Sequence, residues 1–185
     1  MMSKRLAVLI GWAVLVWGLG AGPAQAGQIM SAQQCAKSYP AADESLKRFE
    51  QETGIPRSLV WEVVWAESRC LSDVRGNAGE VGLAQIIPSD QTEWPRWWFA
   101  DRPATAELMD AVLNVRTAGY ILQKNRDVYC REYRTMGARL RCAARVYNGG
   151  TAWVVRYGPR PKNGGAARAW LYGDSVVKAA ANWYW

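Results

Sequence analysis

The chain has 185 residues, of which 50% are hydrophobic and 21% are charged, and its formal net charge is +7. This composition excludes an intrinsically disordered, a collagen-like and a polytopic membrane protein, and the length suits one globular domain. Because the chain contains no histidine, it has no histidine general base, no Ser-His-Asp triad and none of the usual zinc sites. We therefore expect carboxyl, hydroxyl or thiol chemistry and no metal or other cofactor.

The first 26 residues have the organisation of a secretory signal peptide. Lys4 and Arg5 precede an apolar run over residues 6–20, and Ala24-Gln25-Ala26 follows as an A-x-A cleavage site. We therefore predict a signal peptide at residues 1–26 and a single domain at residues 27–185, exported to the periplasm or the extracellular space. The alternative is an uncleaved membrane anchor, although the apolar run is shorter than the roughly 20 residues that span a bilayer comfortably.

The elements that follow are predicted to be helices, because no stretch alternates convincingly between polar and apolar residues. Capping residues and apolar spacing predict helices at residues 42–53, 56–69, 104–125, 136–147, 151–157 and 175–182. The first of these begins near Asp43 and ends at Gly54, and the last is capped by Asp174. Residues 76–82 form a glycine-rich loop, and residues 88–103 form an irregular segment rich in tryptophan. The predicted fold class is mostly α.

Glu67 is the most informative residue of the second predicted helix. At about 100° per residue, Val60, Val63 and Val64 lie within about 60° of Glu67 around the helix axis, whereas Glu62 lies about 140° away. Glu67 therefore points toward the apolar side, and Glu62 is expected to be solvated. Burial raises the pKa of a carboxyl group, and an acid that stays protonated near neutral pH can serve as a general acid. The alternative is a structural ion pair between Glu67 and an arginine.

The loop after Glu67 has the composition of a ligand-binding segment. Its glycines allow the backbone to approach a ligand closely, and Gln85 offers both a hydrogen-bond donor and an acceptor. An acid at a helix end that faces such a loop indicates a glycan-binding cleft.

These residues resemble the soluble lytic transglycosylases, a lysozyme-like family that cleaves bacterial peptidoglycan. The family pattern is Glu-Ser, a later Ser, then Gly-Ala-x-Gly-Leu-Met-Gln and a nearby Pro. The chain matches this pattern without a gap at Glu67-Ser68, Gly79, Gly82-Leu83, Gln85 and Pro88. Two later blocks resemble the family's Asn-Ile…Tyr-Leu helix and its Tyr-Asn-x-Gly motif, namely Asn114-Val115 through Leu122 and Tyr147-Asn148-Gly149-Gly150.

The chain also departs from the family pattern. Gly76 stands where the family has the later Ser, Glu80 stands where it has Ala, and Ala84 stands where it has Met. In the Asn-Ile helix, Ala118 and Ile121 replace a Gly and a Tyr. These departures leave the catalytic acid intact, but they remove one substrate-binding hydroxyl group and put the product in question.

The resemblance implies a lysozyme-like single domain with a glycan-binding cleft and a Gly-rich loop after the catalytic helix. It implies that Glu67, as the single general acid and base, cleaves the β-1,4 bond between N-acetylmuramic acid and N-acetylglucosamine and leaves 1,6-anhydro ends. The implied substrate-binding residues are Ser68, Gln85, Tyr147 and Asn148. The implied partner is the peptidoglycan glycan strand. By analogy, the enzyme would serve a secretion, conjugation or phage apparatus of the cell envelope.

Two other functions remain open from the sequence. A hydrolysing lysozyme on the same fold would use a second carboxylate, such as Glu80, Asp73 or Asp90. A peptidoglycan-binding protein without turnover would also fit the altered loop, although the retained Glu67 argues against it.

The four cysteines all lie in the predicted exported domain. An even number of cysteines in an exported chain indicates two disulfides, and four cysteines allow three pairings. We favour Cys130–Cys142, which closes a short loop, and Cys35–Cys70, which ties the N-terminal segment to the middle of the chain. Buried free thiols are the alternative.

Charge is spread unevenly along the chain. Residues 28–95 contain 6 basic and 10 acidic side chains, whereas residues 96–185 contain 15 basic and 6 acidic ones. A basic half can face nucleic acid, an anionic membrane or an anionic polymer of the cell envelope. Since the chain carries an export signal, we expect no nucleic-acid partner. A solvated basic surface is the alternative.

Overall fold

Helices dominate the part of the chain that the computed structural model describes, which is residues 30–88, 104–151 and 164–183. In chain order they are α1 (Ala32–Ser38), α2 (Pro40–Thr53), α3 (Arg57–Ser68), α4 (Ala111–Lys124), α5 (Met136–Gly149) and α6 (Gly164–Ala180). A 3-10 turn (Glu107–Met109) precedes α4, and a π-helical turn (Asn125–Tyr129) extends it. The described ranges contain no β-strand, and isolated β-bridges occur only within the loop after α3. The mostly α fold class is confirmed.

Three predicted helices are confirmed with small changes at their ends. Helix α2 begins at Pro40, since proline suits the first helical turn, and it ends at Gly54 with a φ of 70°. Asp43 lies inside that first turn and binds the Arg57 guanidinium at 2.9 Å. Helices α3 and α5 occupy the predicted positions at residues 56–69 and 136–147 within two residues at each end.

Two predicted helix starts are wrong. Helix α4 begins at Ala111 rather than at residue 104, because the Asp110 side chain caps it by accepting a hydrogen bond from the Leu113 amide at 2.8 Å. Helix α6 begins at Gly164 rather than at residue 175. Asp174 is therefore not a cap but an internal residue of α6, where its carboxylate binds Arg145 at 2.6 Å. The sequence reading also missed α1, which Ser31 caps.

Several predictions fall outside the described ranges. The predicted signal peptide at residues 1–26 lies wholly outside them. Of the tryptophan-rich segment at 88–103 and the predicted helix at 151–157, only the first residue of each is described. Across the ranges that are described, no helix combines the length and apolar character that a membrane span requires.

Helix α3 runs through the core and lies against α1, α2, α4 and α6. Val60, Trp61, Val63 and Val64 are fully buried along it. Burying a side chain of this size contributes about 1.5–3 kcal/mol, so the core anchors α3 firmly. Its last turn, which carries Glu67, is consequently held in place by the core.

Both favoured disulfides are present. Cys35–Cys70 joins α1 to the turn that follows α3. Cys130–Cys142 links the end of the π-helical turn to α5. The first of these bonds lies three residues beyond Glu67 in the sequence, so it holds the chain directly beside the candidate catalytic acid.

Candidate active site

The chain turns sharply at the end of α3, immediately after Glu67. Arg69 and Cys70 both have positive φ angles, of 54° and 69°, and each such conformation costs a non-glycine residue on the order of 1–3 kcal/mol. The Ser68 hydroxyl holds the turn, since it accepts a hydrogen bond from the Cys70 amide at 3.1 Å and donates one to the Val64 carbonyl at 3.2 Å. Ser68 is buried. These contacts favour a structural role, and its predicted substrate contact remains a prediction.

Glu67 is half-buried at the start of this turn and has a hydrogen-bonding partner on another helix. The Tyr172 hydroxyl of α6 donates a hydrogen bond to Glu67 Oε1 at 2.7 Å. Burial raises the pKa of Glu67; the hydrogen bonds from Tyr172 and Asn148 oppose this effect, and the negative charge of Glu80 adds to it. The net result is a raised pKa, so the site favours the protonated carboxyl group.

The ion-pair alternative for Glu67 gains no support from the described residues. The salt bridges found among them do not include Glu67. Its interactions come instead from uncharged donors and from one like charge. Among the residues that the structure describes, the carboxyl group is therefore held by hydrogen bonds, and no arginine of those ranges forms a salt bridge with it.

Tyr172 belongs to this site but is not among the residues predicted from the sequence. Burial, together with the nearby Glu67 carboxylate, raises its pKa well above the usual range, so the hydroxyl remains a proton-bearing donor. The last predicted helix begins at residue 175 and therefore does not include Tyr172. The spacing of Ala169, Tyr172 and Val176 is helical, and this signal could have extended the helix to include it.

The loop after α3 is built on hydrogen bonds to two amide side chains. Gln85 donates from Nε2 to the carbonyls of Val74 and Gly82, at 3.1 and 2.8 Å. Asn114 of α4 is fully buried, accepts from the Ala84 amide at 2.8 Å, and donates to the carbonyls of Val81 and Leu108. A side chain at Gly82 would overlap the Asn114 amide. The matched residues Gly82, Gln85 and Asn114 thus shape the loop.

Helix α5 brings the other predicted binding residues to the same place. The Tyr147 hydroxyl donates to the Ala84 carbonyl at 2.8 Å. The next residue, Asn148, is exposed, and its side chain lies close enough to Glu67 to lower the pKa of that carboxyl group. A pocket of about 170 Å³ is lined by Gln85, Ile86, Ile87, Ile121, Tyr147, Asn148 and Gly150. Three of the four predicted binding residues therefore line one pocket, and Asn148 connects this pocket to Glu67.

The expectation that Glu62 is solvated is wrong. Glu62 is half-buried on the other side of α3, where it accepts a hydrogen bond from Trp183 Nε1 at 2.6 Å. Burial raises its pKa. Helical spacing within α3 does not predict this contact, because the indole that covers Glu62 comes from beyond the end of α6. Within the described ranges, no cluster of three or more Cys, Asp or Glu side chains could hold a metal ion.

Comparison with known families agrees with this geometry. The family model described as "Transglycosylase SLT domain" matches residues 44–169, which include Glu67, the loop after α3, and Tyr147 with Asn148. A search of curated proteins found no significant match. The matched range covers well over half of the chain, and the described helices fit the lysozyme-like fold of this family. The chain belongs to the SLT transglycosylase family, whose members cleave peptidoglycan.

Proposed function

We propose that this protein is a lytic transglycosylase that cleaves the β-1,4 bond between N-acetylmuramic acid and N-acetylglucosamine and leaves 1,6-anhydro ends. The observation that carries the proposal is the environment of Glu67. Its carboxyl group is half-buried, has a raised pKa, and lies beside the loop and pocket that the matched motifs build. A carboxyl group with a raised pKa keeps its proton to higher pH than an exposed one, and it is therefore better suited to donate that proton to a glycosidic oxygen.

In the proposed reaction Glu67 acts twice. It first donates its proton to the glycosidic oxygen, which leaves with the N-acetylglucosamine unit while the 2-acetamido group of the muramoyl residue stabilises the positive charge at C1. The Glu67 carboxylate then takes the proton of the muramoyl 6-hydroxyl, whose oxygen bonds to C1. The proton returns to Glu67 and no water is consumed. A second carboxylate is therefore unnecessary.

Tyr172 and Asn148 support this cycle by stabilising the Glu67 carboxylate that exists between the two proton transfers. Hydrogen bonds from both residues favour the ionised carboxylate, and a bond to a charged acceptor is stronger than one to a neutral acceptor. Burial favours the protonated state before the transfer. Burial thus keeps the pKa of Glu67 raised, and the hydrogen bonds stabilise the carboxylate that forms when the proton leaves.

We propose that Gln85, Tyr147 and Asn148 line the glycan-binding cleft. Tyr147 would act partly through the loop, because its hydroxyl fixes the Ala84 carbonyl next to Gln85. Asn148 is exposed and lies close enough to Glu67 to lower its pKa, so its side chain is placed to contact a substrate beside the catalytic acid. Ser68 is expected to affect binding only through the turn that it holds.

Hydrolysis is the second candidate, and one observation favours it. The negative charge of Glu80 acts on Glu67, so a second carboxylate does lie near the acid, as a hydrolysing mechanism requires. In that case Glu80 would activate a water molecule, and the product would carry a free reducing end.

Digestion of purified sacculi, followed by mass analysis of the soluble fragments, tests the proposal. We expect anhydro-ended fragments, which are lighter by one water than their hydrolysed counterparts. Because general acid catalysis contributes about 10²–10⁴-fold, Glu67→Gln should release fragments at least about 100-fold more slowly while still binding sacculi. Hydrolysed ends would support the lysozyme alternative. Equal release by the wild type and Glu67→Gln would leave only a binding function.

We further propose that the protein works in the periplasm or outside the cell, after removal of residues 1–26, and that it opens the wall locally for a secretion, conjugation or phage apparatus. The export proposal is supported by the two disulfides, which persist in oxidising compartments. Intact-mass measurement of the protein from the periplasmic fraction tests it, since cleavage after Ala26 predicts Gly27 as the first residue.

A further inference from the structure

The turn at residues 76–80 folds the side chain of Glu80 back onto Gly76. The Gly76 amide donates to the Glu80 carbonyl at 2.9 Å, and the Gly79 amide donates to the Gly76 carbonyl at 3.2 Å. Gly79 has a φ of 91°, which lets the chain reverse within this short segment. The Ala78 amide donates to Glu80 Oε2 at 2.8 Å. The carboxylate is therefore anchored by the backbone of its own turn.

This anchoring places the Glu80 carboxylate where a side chain at position 76 would lie. A Cβ atom at Gly76 would overlap Glu80 Oε2 and come within 2.7 Å of its Cδ atom. The same point is 3.0 Å from Gln85 Oε1. Since Gln85 Nε2 is engaged by two carbonyl groups of the loop, Oε1 is the end of the amide that faces this point. One acceptor oxygen, Glu80 Oε2, thus occupies the space above Gly76, and a second, Gln85 Oε1, lies beside it.

The two departures from the family pattern are therefore coupled. Serine at position 76 would need the space that the Glu80 carboxylate fills, and alanine at position 80 would leave that space empty. Gly76 and Glu80 are both only half-buried, and the Glu80 charge is felt by Glu67. The carboxylate consequently lies on the accessible side of the loop and within electrostatic reach of the catalytic acid.

We propose that Glu80 binds and positions the glycan, with its carboxylate taking the place of a hydroxyl group at position 76. This inference rests on the proposed function of the same site. A carboxylate only accepts hydrogen bonds, and Gln85 Oε1 also accepts. The pair is therefore selective for an N–H or O–H donor of a sugar. Charge-assisted bonds of this kind are stronger than neutral ones, so the exchange compensates for the missing serine.

Binding without turnover tests this role separately from catalysis. The background is Glu67→Gln, and the probe is a tetramer of N-acetylglucosamine, which offers sugar donors without a peptide or a lactyl carboxylate. Calorimetry should show that Glu80→Ala weakens binding about 10- to 100-fold, as expected for loss of a bond to a charged group. Glu80→Gln keeps an acceptor and should weaken binding less. Glu44→Ala, which removes an exposed carboxylate on α2, is the matched control and should bind normally.

A double-mutant cycle tests the coupling. Gly76→Ser alone should weaken binding, because its side chain displaces the Glu80 carboxylate, whereas the melting temperature should change little, since the displaced group is the end of a long side chain. Gly76→Ser combined with Glu80→Ala should bind better than either single variant. In the active background, Glu80→Gln should raise KM more than it lowers kcat, a split that a purely structural role would not produce.

Unchanged binding in Glu80→Ala and Glu80→Gln, or additive effects in the cycle, would overturn the proposal. Neither result would bear on Glu67 or on the anhydro product, which the sacculus digest tests independently. A third result would also refute a binding role. If the digest gave hydrolysed ends and Glu80→Gln lost turnover at normal affinity, Glu80 would be assigned to water activation.

Discussion

Replacing Tyr172 by phenylalanine removes a single hydroxyl group from the proposed active site. The ring packs against the core and can remain there, so the change is confined to the 2.7 Å hydrogen bond that the hydroxyl donates to Glu67 Oε1. This bond lowers the pKa of Glu67. Its loss should therefore raise that pKa and deprive the ionised carboxylate of a donor.

The size of the effect follows from the difference between a charged and a neutral acceptor. A hydrogen bond to a charged group contributes about 1.5–3 kcal/mol, and one between neutral groups contributes about 0.5–1.5 kcal/mol. Their difference, about 1–1.5 kcal/mol, corresponds to about a tenfold change in rate. Since Glu67 must be protonated to donate, and loss of the hydrogen bond raises its pKa, the alkaline limb of the kcat profile should move to higher pH. The plateau value of kcat should fall about tenfold.

The assay is the release of soluble fragments from sacculi as a function of pH, with melting temperatures measured in parallel. Tyr133→Phe is the matched control, because it removes the hydroxyl of an exposed tyrosine in the loop before α5 and should leave the profile unchanged. A Tyr172→Phe profile that coincides with the wild type, or that moves to lower pH, would refute the reasoning about how Tyr172 acts on Glu67.

Three further predictions concern stability. Because the pKa of Glu67 is raised in the folded state, its contribution to stability is fully present below the pKa of the unfolded chain and is lost as pH rises through the folded pKa. Glu67→Gln should therefore match the wild-type melting temperature at acid pH and exceed it at pH 8. A difference that stays constant with pH would contradict this. Removing Cys35–Cys70 by serine substitution should cost about 4 kcal/mol in urea unfolding, against about 3 kcal/mol for Cys130–Cys142. Only the first removal should lower activity beyond the effect on stability, because it frees the turn beside Glu67; equal activity losses would argue against that link. Asn114→Ala leaves buried loop amides and carbonyls without partners and should cost about 3 kcal/mol or more, whereas a cost below about 1 kcal/mol would show that the loop does not depend on Asn114.

Local sequence signals were enough to predict the element that carries Glu67. The helical spacing of Val60, Val63 and Val64 places Glu67 toward the core, and the structure has these valines buried. The matched loop and the Tyr147-Asn148 motif lie beside it, as their resemblance to the family implied. These features could be predicted because they depend on contacts within one element or on an unbroken motif.

Long-range contacts account for what the sequence did not show. Tyr172 reaches Glu67 across 105 residues of sequence, and Trp183 covers Glu62 from beyond the end of α6. The coupling of Gly76 with Glu80 likewise emerges only once the turn is folded. Contacts between distant parts of the chain thus determine the surroundings of Glu67 and Glu62, and the geometry of the folded turn determines those of Glu80.

The central claim is that the Glu67 carboxyl group holds its proton in a half-buried site until the substrate takes it. The most direct measurement is an NMR titration of ¹³C-labelled glutamate carboxyl groups, with the Glu67 signal assigned by its absence in Glu67→Gln. The account predicts a Glu67 midpoint above that of the exposed glutamates, such as Glu44. A midpoint at or below theirs would contradict it, because such a carboxyl group would already have lost its proton before the substrate arrives.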